Sequence, residues 1–335
     1  MIIPKYIQSD SCIGVTAPSG GAYKPIDKIR FENAKKKLEE LSYNVIFTDN
    51  VFGDDGYGRS SDKCVRAKEF MSLIKDDTVD YIVSAKGGDY LAEMLPYLDF
   101  EKIKKNPKWV QGYSDNTSLL LAITTLCDIA TIYGYNFGNY GMDEWHISVK
   151  NNLDLVGGKN VVQNSFDMFE DGFFDKITGL EGFNFTTNVE LKPARNEEEI
   201  VMSGRLLGGC LDVLVDMAGT KYENVSGYAE KYKEDGILWF IESFDAVGER
   251  IIINLWKLKE LGWFKNAKGF IFGRPCFYKA FSDISYEQAV MTALEELNVP
   301  IIFGADIGHK EPSWTMINGM NAEFKYKNGK AILKY

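Results

Sequence analysis

Histidine is the scarcest chemically useful residue in this chain. Its 335 residues contain only two, His146 and His309, so a reaction that needs an imidazole has two candidates. Cysteine is thin as well. Cys12, Cys64, Cys127, Cys210 and Cys276 stand singly, without the C-x-x-C pairs of zinc or redox sites, and read as reduced, mostly buried thiols of a cytoplasmic protein. No apolar run approaches the ~18 residues of a membrane span; the longest, residues 119–130, is interrupted by Asp128. The first residues, Met1-Ile2-Ile3-Pro4-Lys5, run into polar Gln8-Ser9-Asp10-Ser11 and lack the basic-then-apolar order of a secretory signal. Positive charge is in deficit: 38 basic against 48 acidic residues leave −10. Repulsion from phosphate and anionic lipid then argues against nucleic acid or membrane as the main partner.

What is present is enough apolar material for a large core, 45% hydrophobic and 13% aromatic residues, needing neither disulfides nor a structural metal. The length is about twice that of a typical domain and favours two. In the first half, strand-like runs at 12–17, 43–47, 81–84, 109–111 and 129–133 alternate with stretches of helical spacing, such as Phe31, Ala34, Leu38 and Leu41, or Val65, Phe70, Leu73 and Ile74. That rhythm predicts an α/β fold with a doubly wound parallel sheet over residues 1–160. Residues 161–187, rich in Gly, Asn, Asp and Phe, read as a linker and surface loop. Residues 188–335 read as a second α/β domain with a mixed sheet. Its expected strands are 189–191, 237–241, 270–272 and 301–303, its expected helices 211–217, 251–261 and 286–297, and 204–209 reads as a turn.

In open α/β sheets ligands gather beyond the carboxyl ends of the strands, so polar residues just after apolar runs are the first candidates for chemistry. Ser114 follows Trp109-Val110-Gln111-Gly112 in a strand-turn-helix context. It resembles a nucleophile elbow, although Asn116 stands where G-x-S-x-G has its second glycine. Equally, Ser114 or Asp115 could simply cap the following helix. Glu242 ends the apolar run 237–241, where a carboxylate is either half-buried with a partner or on a wet rim. His309 follows the strand at 300–304, beside the small Gly308; the plain alternative is an exposed loop histidine. Ser, Glu and His at three strand exits are together the parts of an activated serine: the imidazole takes the hydroxyl proton, and the carboxylate fixes its tautomer and stabilises the imidazolium. His146, in Asp143-Glu144-Trp145-His146, lies in an irregular acidic stretch and reads as a surface residue. Gly87 and Gly88 end another strand. Their N–H groups could join that of Asp115 in an oxyanion hole, or they could form a plain turn.

These residues resemble the LD-carboxypeptidase and microcin C immunity protein family of serine peptidases. The similarity rests on Gly112-Tyr113-Ser114-Asp115-Asn116-Thr117, Glu242 and Asp306-Ile307-Gly308-His309. Further landmarks are Ile13-Gly14-Val15-Thr16-Ala17-Pro18-Ser19, Gly58-Arg59-Ser60, Gly204 to Gly209 and Gly273-Arg274-Pro275. The resemblance implies Ser114 as nucleophile, His309 as general base, Glu242 as its orienting carboxylate, no cofactor or metal, and a homodimer. Lys86-Gly87-Gly88-Asp89-Tyr90 departs from the family's Arg-Gly-Gly-Tyr-Gly, Cys210 stands where Asn is common, and Asn136-Phe137-Gly138-Asn139 replaces His-Gly-Pro. These departures bear on the substrate, a small peptide or peptidyl-nucleotide, more than on reaction type. Lys86 and Asp89 are candidates for a polar substrate group. Phe166, Phe169, Phe173 and Phe174 are candidates for stacking on a nucleobase, which tilts the expectation toward hydrolysis of peptidyl or aminoacyl adenylates. The alternatives are removal of the terminal D-alanine from murein tetrapeptides, and a non-catalytic ligand-binding protein.

Overall fold

The computed structural model describes residues 1–335, which divide into two compact units: residues 1–159 with 174–183, and residues 160–173 with 184–335. No helix is long and apolar enough to cross a membrane.

The first unit is the expected doubly wound layer. Strands β1 (Cys12–Thr16), β2 (Asn44–Phe47), β3 (Val79–Ser84), β4 (Trp109–Gly112) and β5 (Thr131–Tyr133) are parallel, in the order β5-β4-β3-β1-β2. Helices α1 (Pro25–Glu40), α2 (Lys63–Lys75), α3 (Phe100–Lys105), α4 (Thr117–Ala122) and α5 (Ile147–Val156) complete it. Every residue of β1 and of β4 is buried, as a parallel sheet covered on both faces requires. Helix α1 buries Phe31, Ala34 and Leu38, one stripe at helical spacing. Helix α2 starts where the Asp62 side chain accepts the Cys64 N–H. Strand order reverses about β1, so the exits of β1 and β3 flank a topological switch point, where such sheets bind ligands. The helix expected over 117–126 is α-helical only to Ala122; a π-helical turn, Ile123–Cys127, follows and stops at left-handed Asp128.

The second unit is built on an eight-stranded mixed sheet. In chain order the unit's strands, eight of which form that sheet, are β6 (Gln163–Asn164), the paired β7 (Met168–Phe169) and β8 (Thr187–Asn188), β9 (Lys192–Pro193), β10 (Glu199–Cys210), β11 (Ile237–Glu242), β12 (Ala267–Gly273), β13 (Ile301–Ala305), β14 (Met316–Asn318), β15 (Asn321–Lys327) and β16 (Lys330–Lys334). The eight run β6-β16-β15-β10-β11-β12-β13-β9. Strands β10 to β13 are parallel, and the pairs toward both edges are antiparallel. Helices α6 (Leu211–Met217), α7 (Val225–Lys231), α8 (Gly248–Glu260) and α9 (Tyr286–Leu294) accompany it.

Three expectations change here. Residues 204–209 are not a turn but the second half of the long β10. Their glycines serve close approach: a Cβ on Gly208 would lie 1.7 Å from the Phe240 carbonyl oxygen of neighbouring β11. Residues 161–187 are more than a loop, since they contain β6 and β7 and reach β8, and they are shared between the two units. No strand covers 189–191; β8 and β9 flank it.

Candidate active site

In the first unit, β4 delivers the chain to Ser114, whose φ of 65° lies in the left-handed region. A residue with a Cβ is held there at a cost of about 1–2 kcal/mol, so surrounding contacts must impose it. They are visible. The Ser114 N–H donates to the Tyr133 hydroxyl at 3.2 Å, its carbonyl accepts from the Thr117 hydroxyl at 2.7 Å, and the Asp115 carbonyl accepts from the Ser118 hydroxyl at 2.9 Å. Asn116, in place of a second motif glycine, donates to the Tyr113 carbonyl at 2.9 Å and the Lys86 carbonyl at 3.2 Å. Gly112 makes room for it, since a Cβ there would lie 2.7 Å from Asn116 Cγ. Neither Ser114 nor Asp115 caps α4 with its side chain; Asp115 turns instead to the Ser19 hydroxyl and the Leu91 N–H.

The exit of β3 runs beside this elbow. A Cβ on Gly87 would lie 3.0 Å from Ser114 Cβ and 3.1 Å from its Oγ, so the loop touches the serine and only glycine fits without displacement. Gly88 and Asp89 are exposed. Lys86 is ion-paired to Asp27 at 3.0 Å, with its side chain 40% exposed.

In the second unit, Glu242 ends β11 fully buried, and its Oε2 lies 2.9 Å from His309 Nδ1. Two glycines admit the carboxylate. A Cβ on Gly273 would be 3.0 Å from Glu242 Cβ, and one on Gly308, at φ +100°, would be 2.6 Å from Oε2. His309 is itself only 8% exposed. Burial works against its imidazolium, but the charge and hydrogen bond of Glu242 outweigh that and raise its pKa above the ordinary value. The wet-rim and exposed-loop alternatives are therefore not what the fold adopts. The loop bearing His309 is tied down by Arg274, which pairs with buried Asp306 at 2.6 Å and donates to the carbonyls of Lys310 at 2.6 Å and Pro312 at 3.2 Å.

Family models of the LD-carboxypeptidase N-terminal and C-terminal domains match residues 13–134 and 203–324. The chain belongs to the LD-carboxypeptidase family. It is 26% identical to a putative carboxypeptidase of Vibrio cholerae, over 98% of this chain and 96% of the relative. It is equally identical to a probable murein peptide carboxypeptidase of Bacillus subtilis, over 99% and 94%. In fold it is similar to an immunity-protein-like structure from Bacillus anthracis, with a TM-score of 0.83 at 23% identity, covering 100% of this chain and 99% of that one. The microcin C7 self-immunity protein solved with aspartyl sulfamoyl adenosine gives 0.82 at 21%, with the same coverage.

The family landmark Gly273-Arg274-Pro275 thus has a physical role in holding the histidine loop. Of the four candidate stacking rings, Phe169 is buried beneath the Arg274 guanidinium, 4.5 Å from the ring centroid. That is a correction: the ring is buried, with the protein's own cation over it, and is not the exposed stacking surface expected of it. Phe166 is half-buried, its N–H donating to Asp306 at 3.0 Å, and Phe174 is 40% exposed in the first unit. Phe173 is 59% exposed and packs on Phe244 and Phe277, at 6.0 and 5.7 Å; Phe244 in turn lies 4.7 Å from the His309 ring. Phe244, Phe277, Arg274 with Asp306, and Ser19 escaped sequence reasoning as contributors, because each acts through a contact remote in sequence. His146 is also corrected. It is a half-buried cap of α5, its Nδ1 accepting the Ser148 N–H at 3.3 Å and its ring packed on Phe183. Burial lowers its pKa.

Proposed function

We propose that this peptidase is of the serine type and works through an acyl-enzyme, with Ser114 as nucleophile, His309 as base and Glu242 as orienting carboxylate. The observation that carries this reading is the buried 2.9 Å contact between Glu242 and His309 Nδ1: a general base needs its tautomer fixed and its imidazolium stabilised, and a wholly buried carboxylate on Nδ1 supplies both. With Nδ1 engaged by Glu242, Nε2 takes the Ser114 Oγ proton as Oγ bonds to the scissile carbonyl carbon. The resulting oxyanion is met by the N–H of Asp115 and one from Gly87 or Gly88. Collapse of the tetrahedral species breaks the C–N bond, and the departing nitrogen takes the proton from Nε2. Water then repeats the sequence on the acyl-serine and frees the acid.

Because His309 protonates the leaving group, whatever departs passes close to the exposed rings of Phe244, Phe173 and Phe277. That apolar ledge suits a planar leaving group and favours a peptidyl- or aminoacyl-nucleotide, as the aspartyl sulfamoyl adenosine bound to the self-immunity protein would suggest. A murein tetrapeptide is the second reading. It is favoured by the name of the Bacillus subtilis relative and by Lys86, a cation next to Gly87 that could meet a terminal carboxylate.

A fluorophosphonate probe tests the nucleophile: wild type should label and Ser114→Ala should not, and equal labelling would sink the assignment. The substrates are separated by incubating the protein with murein tetrapeptide and with an aminoacyl sulfamoyl adenosine and following released D-alanine or amino acid by mass spectrometry. Release from the tetrapeptide alone would overturn the nucleotide preference.

A further inference from the structure

Asp115 does more than follow the nucleophile. Its carboxylate is buried, 4% exposed, and it does not serve as the helix cap a serine-aspartate turn suggests. The same oxygen, Oδ2, accepts the Ser19 hydroxyl from the exit of β1 and the Leu91 N–H, at 2.8 Å, from the end of the β3 exit loop. Burial, with the nearby Asp89 charge, raises this carboxyl above the ordinary aspartate range, against the opposing hydrogen bonds of Ser19 and the Leu91 and Tyr90 amides. Four further contacts tie the same segments together. The Gly20 N–H donates to the Gly87 carbonyl at 3.0 Å. Fully buried Arg66 donates to the carbonyls of Pro18, at 2.9 Å, and Tyr90, at 3.0 Å. Gly88, at φ +156°, is packed so closely on Ser19 that a Cβ there would lie 2.4 Å from its hydroxyl oxygen.

We propose that the Asp115 side chain is a positioning residue for the opposite half of the oxyanion hole, acting through Ser19 and Leu91 to hold the Gly87-Gly88 loop at the height of Ser114. The inference rests on Ser114 being the nucleophile. One residue then coordinates both donors: its own N–H is one of them, and its carboxylate sets the position of the other. The loop is fixed at Lys86 by Asn116, at Gly87 by Gly20 and at Leu91 by Asp115. Without the last, the stretch from Gly88 to Tyr90 keeps only the packing of Gly88 on Ser19, the Arg66 bond and the local Glu93 N–H bond at the Tyr90 carbonyl, and the Arg59 guanidinium over the Tyr90 ring. Preorganised donors are effective only when they already stand where the charge develops, so a loop free to shift by a fraction of an ångström loses much of the effect.

The test is a double-mutant cycle read by the rate of fluorophosphonate acylation, since the phosphoryl oxygen occupies the oxyanion position during attack. Ser19→Ala removes one hydroxyl and keeps the backbone; it should slow acylation about 10-fold, and Asp115→Ala about 100-fold or more, within the range for weakening one oxyanion donor. Asp115→Asn keeps an acceptor for Leu91 and Ser19 and should recover most of the rate. The combination Ser19→Ala with Asp115→Ala should be no slower than Asp115→Ala alone, because Ser19 acts through Asp115. In turnover assays the losses should fall on kcat with KM little changed.

Acylation by Ser19→Ala at the wild-type rate, or fully multiplicative losses in the double variant, would overturn the inference. If Asp115→Ala does not fold, Ser19→Ala and Asp115→Asn still decide it: an Asn variant as slow as a Ser114 knockout, with an unchanged melting temperature, also argues against it. Failure of the nucleophile reading is separate, since then wild type itself would not label at Ser114.

Discussion

The two units hold the proposed nucleophile and the proposed base in opposite ways. In the first, the proposed nucleophile is made available by backbone conformation: Ser114 is half-buried, in the left-handed region, and ringed by turn hydrogen bonds. In the second, the proposed base is tuned by enclosure: Glu242 is fully buried, and His309 nearly so, with its pKa raised by its partner. A serine hydroxyl cannot be made usefully acidic by burial, which would disfavour the alkoxide, so it has to be presented. An imidazole needs no presentation but does need its tautomer and basicity set, which a hydrogen bond in a low dielectric does. The contrast predicts that substitutions in the first unit act on geometry and those in the second on proton affinity.

The largest effects should come from removing either half. Ser114→Ala and His309→Ala should each lower kcat for the true substrate by about 10⁴-fold or more, with folding intact, because the members of such a constellation act as a unit. A loss below 10-fold for His309→Ala, measured at saturating substrate, would break the comparison by showing that enclosure of the imidazole is only structural.

Glu242→Gln should cost somewhat less, ~10³–10⁴-fold in kcat, because a buried amide favours the wrong tautomer. It also reports on charge. A base must be neutral to act, so kcat/KM of wild type should rise with pH through a midpoint above 6.5, the ordinary value for histidine. In Glu242→Gln the burial that disfavours the imidazolium remains while the largest opposing charge is gone, so the midpoint should move down, with Glu311 and Asp212 left to oppose it. The sign carries over to stability: a raised histidine pKa contributes stability that is complete below the unfolded value near 6.5 and fades as pH rises through the folded one. A pH–rate profile unchanged by the substitution would show that Glu242 does not set the proton affinity.

Arg274→Ala leaves buried Asp306 without its cation and frees the Lys310 and Pro312 carbonyls. Breaking such a buried pair costs about 3–5 kcal/mol, to be read from denaturant unfolding, with a fall in activity as the histidine loop loosens. Asp306→Asn should cost less, since it still accepts from Arg274. The smallest and most discriminating change is Ser114→Gly. It removes the proposed nucleophile as alanine does, but it relieves the left-handed backbone and should stabilise the fold by about 1 kcal/mol relative to Ser114→Ala. A glycine variant no more stable than the alanine one would mean that the elbow stores no strain.

The parallel layer of the first unit was legible because its periodicities are local: the β1 run is buried residue by residue, and Phe31, Ala34 and Leu38 face inward together. The second unit was read less well. Residues 204–209 resembled a turn because glycine usually marks one, and only the neighbouring Phe240 carbonyl shows that these glycines let two strands approach. The terminal hairpin β15–β16 alternates buried and exposed residues and was open to recognition from that alternation. Phe169 resembled an exposed aromatic because its acidic, glycine-rich surroundings are polar in sequence; the cation that covers it comes from Arg274, more than a hundred positions away.

Residue identity and order alone determined the family and the α/β class and supplied a short roster of candidate residues, because glycine, serine, glutamate and histidine at strand exits are constrained by chemistry and can be read without coordinates. Tertiary structure decided which of the two histidines meets a carboxylate, that Asp115 binds two strand exits and caps nothing, and that Phe244 lies against the imidazole. Those outcomes depend on distances between segments 24 to 96 residues apart, set by sheet order and packing, and no local pattern encodes them.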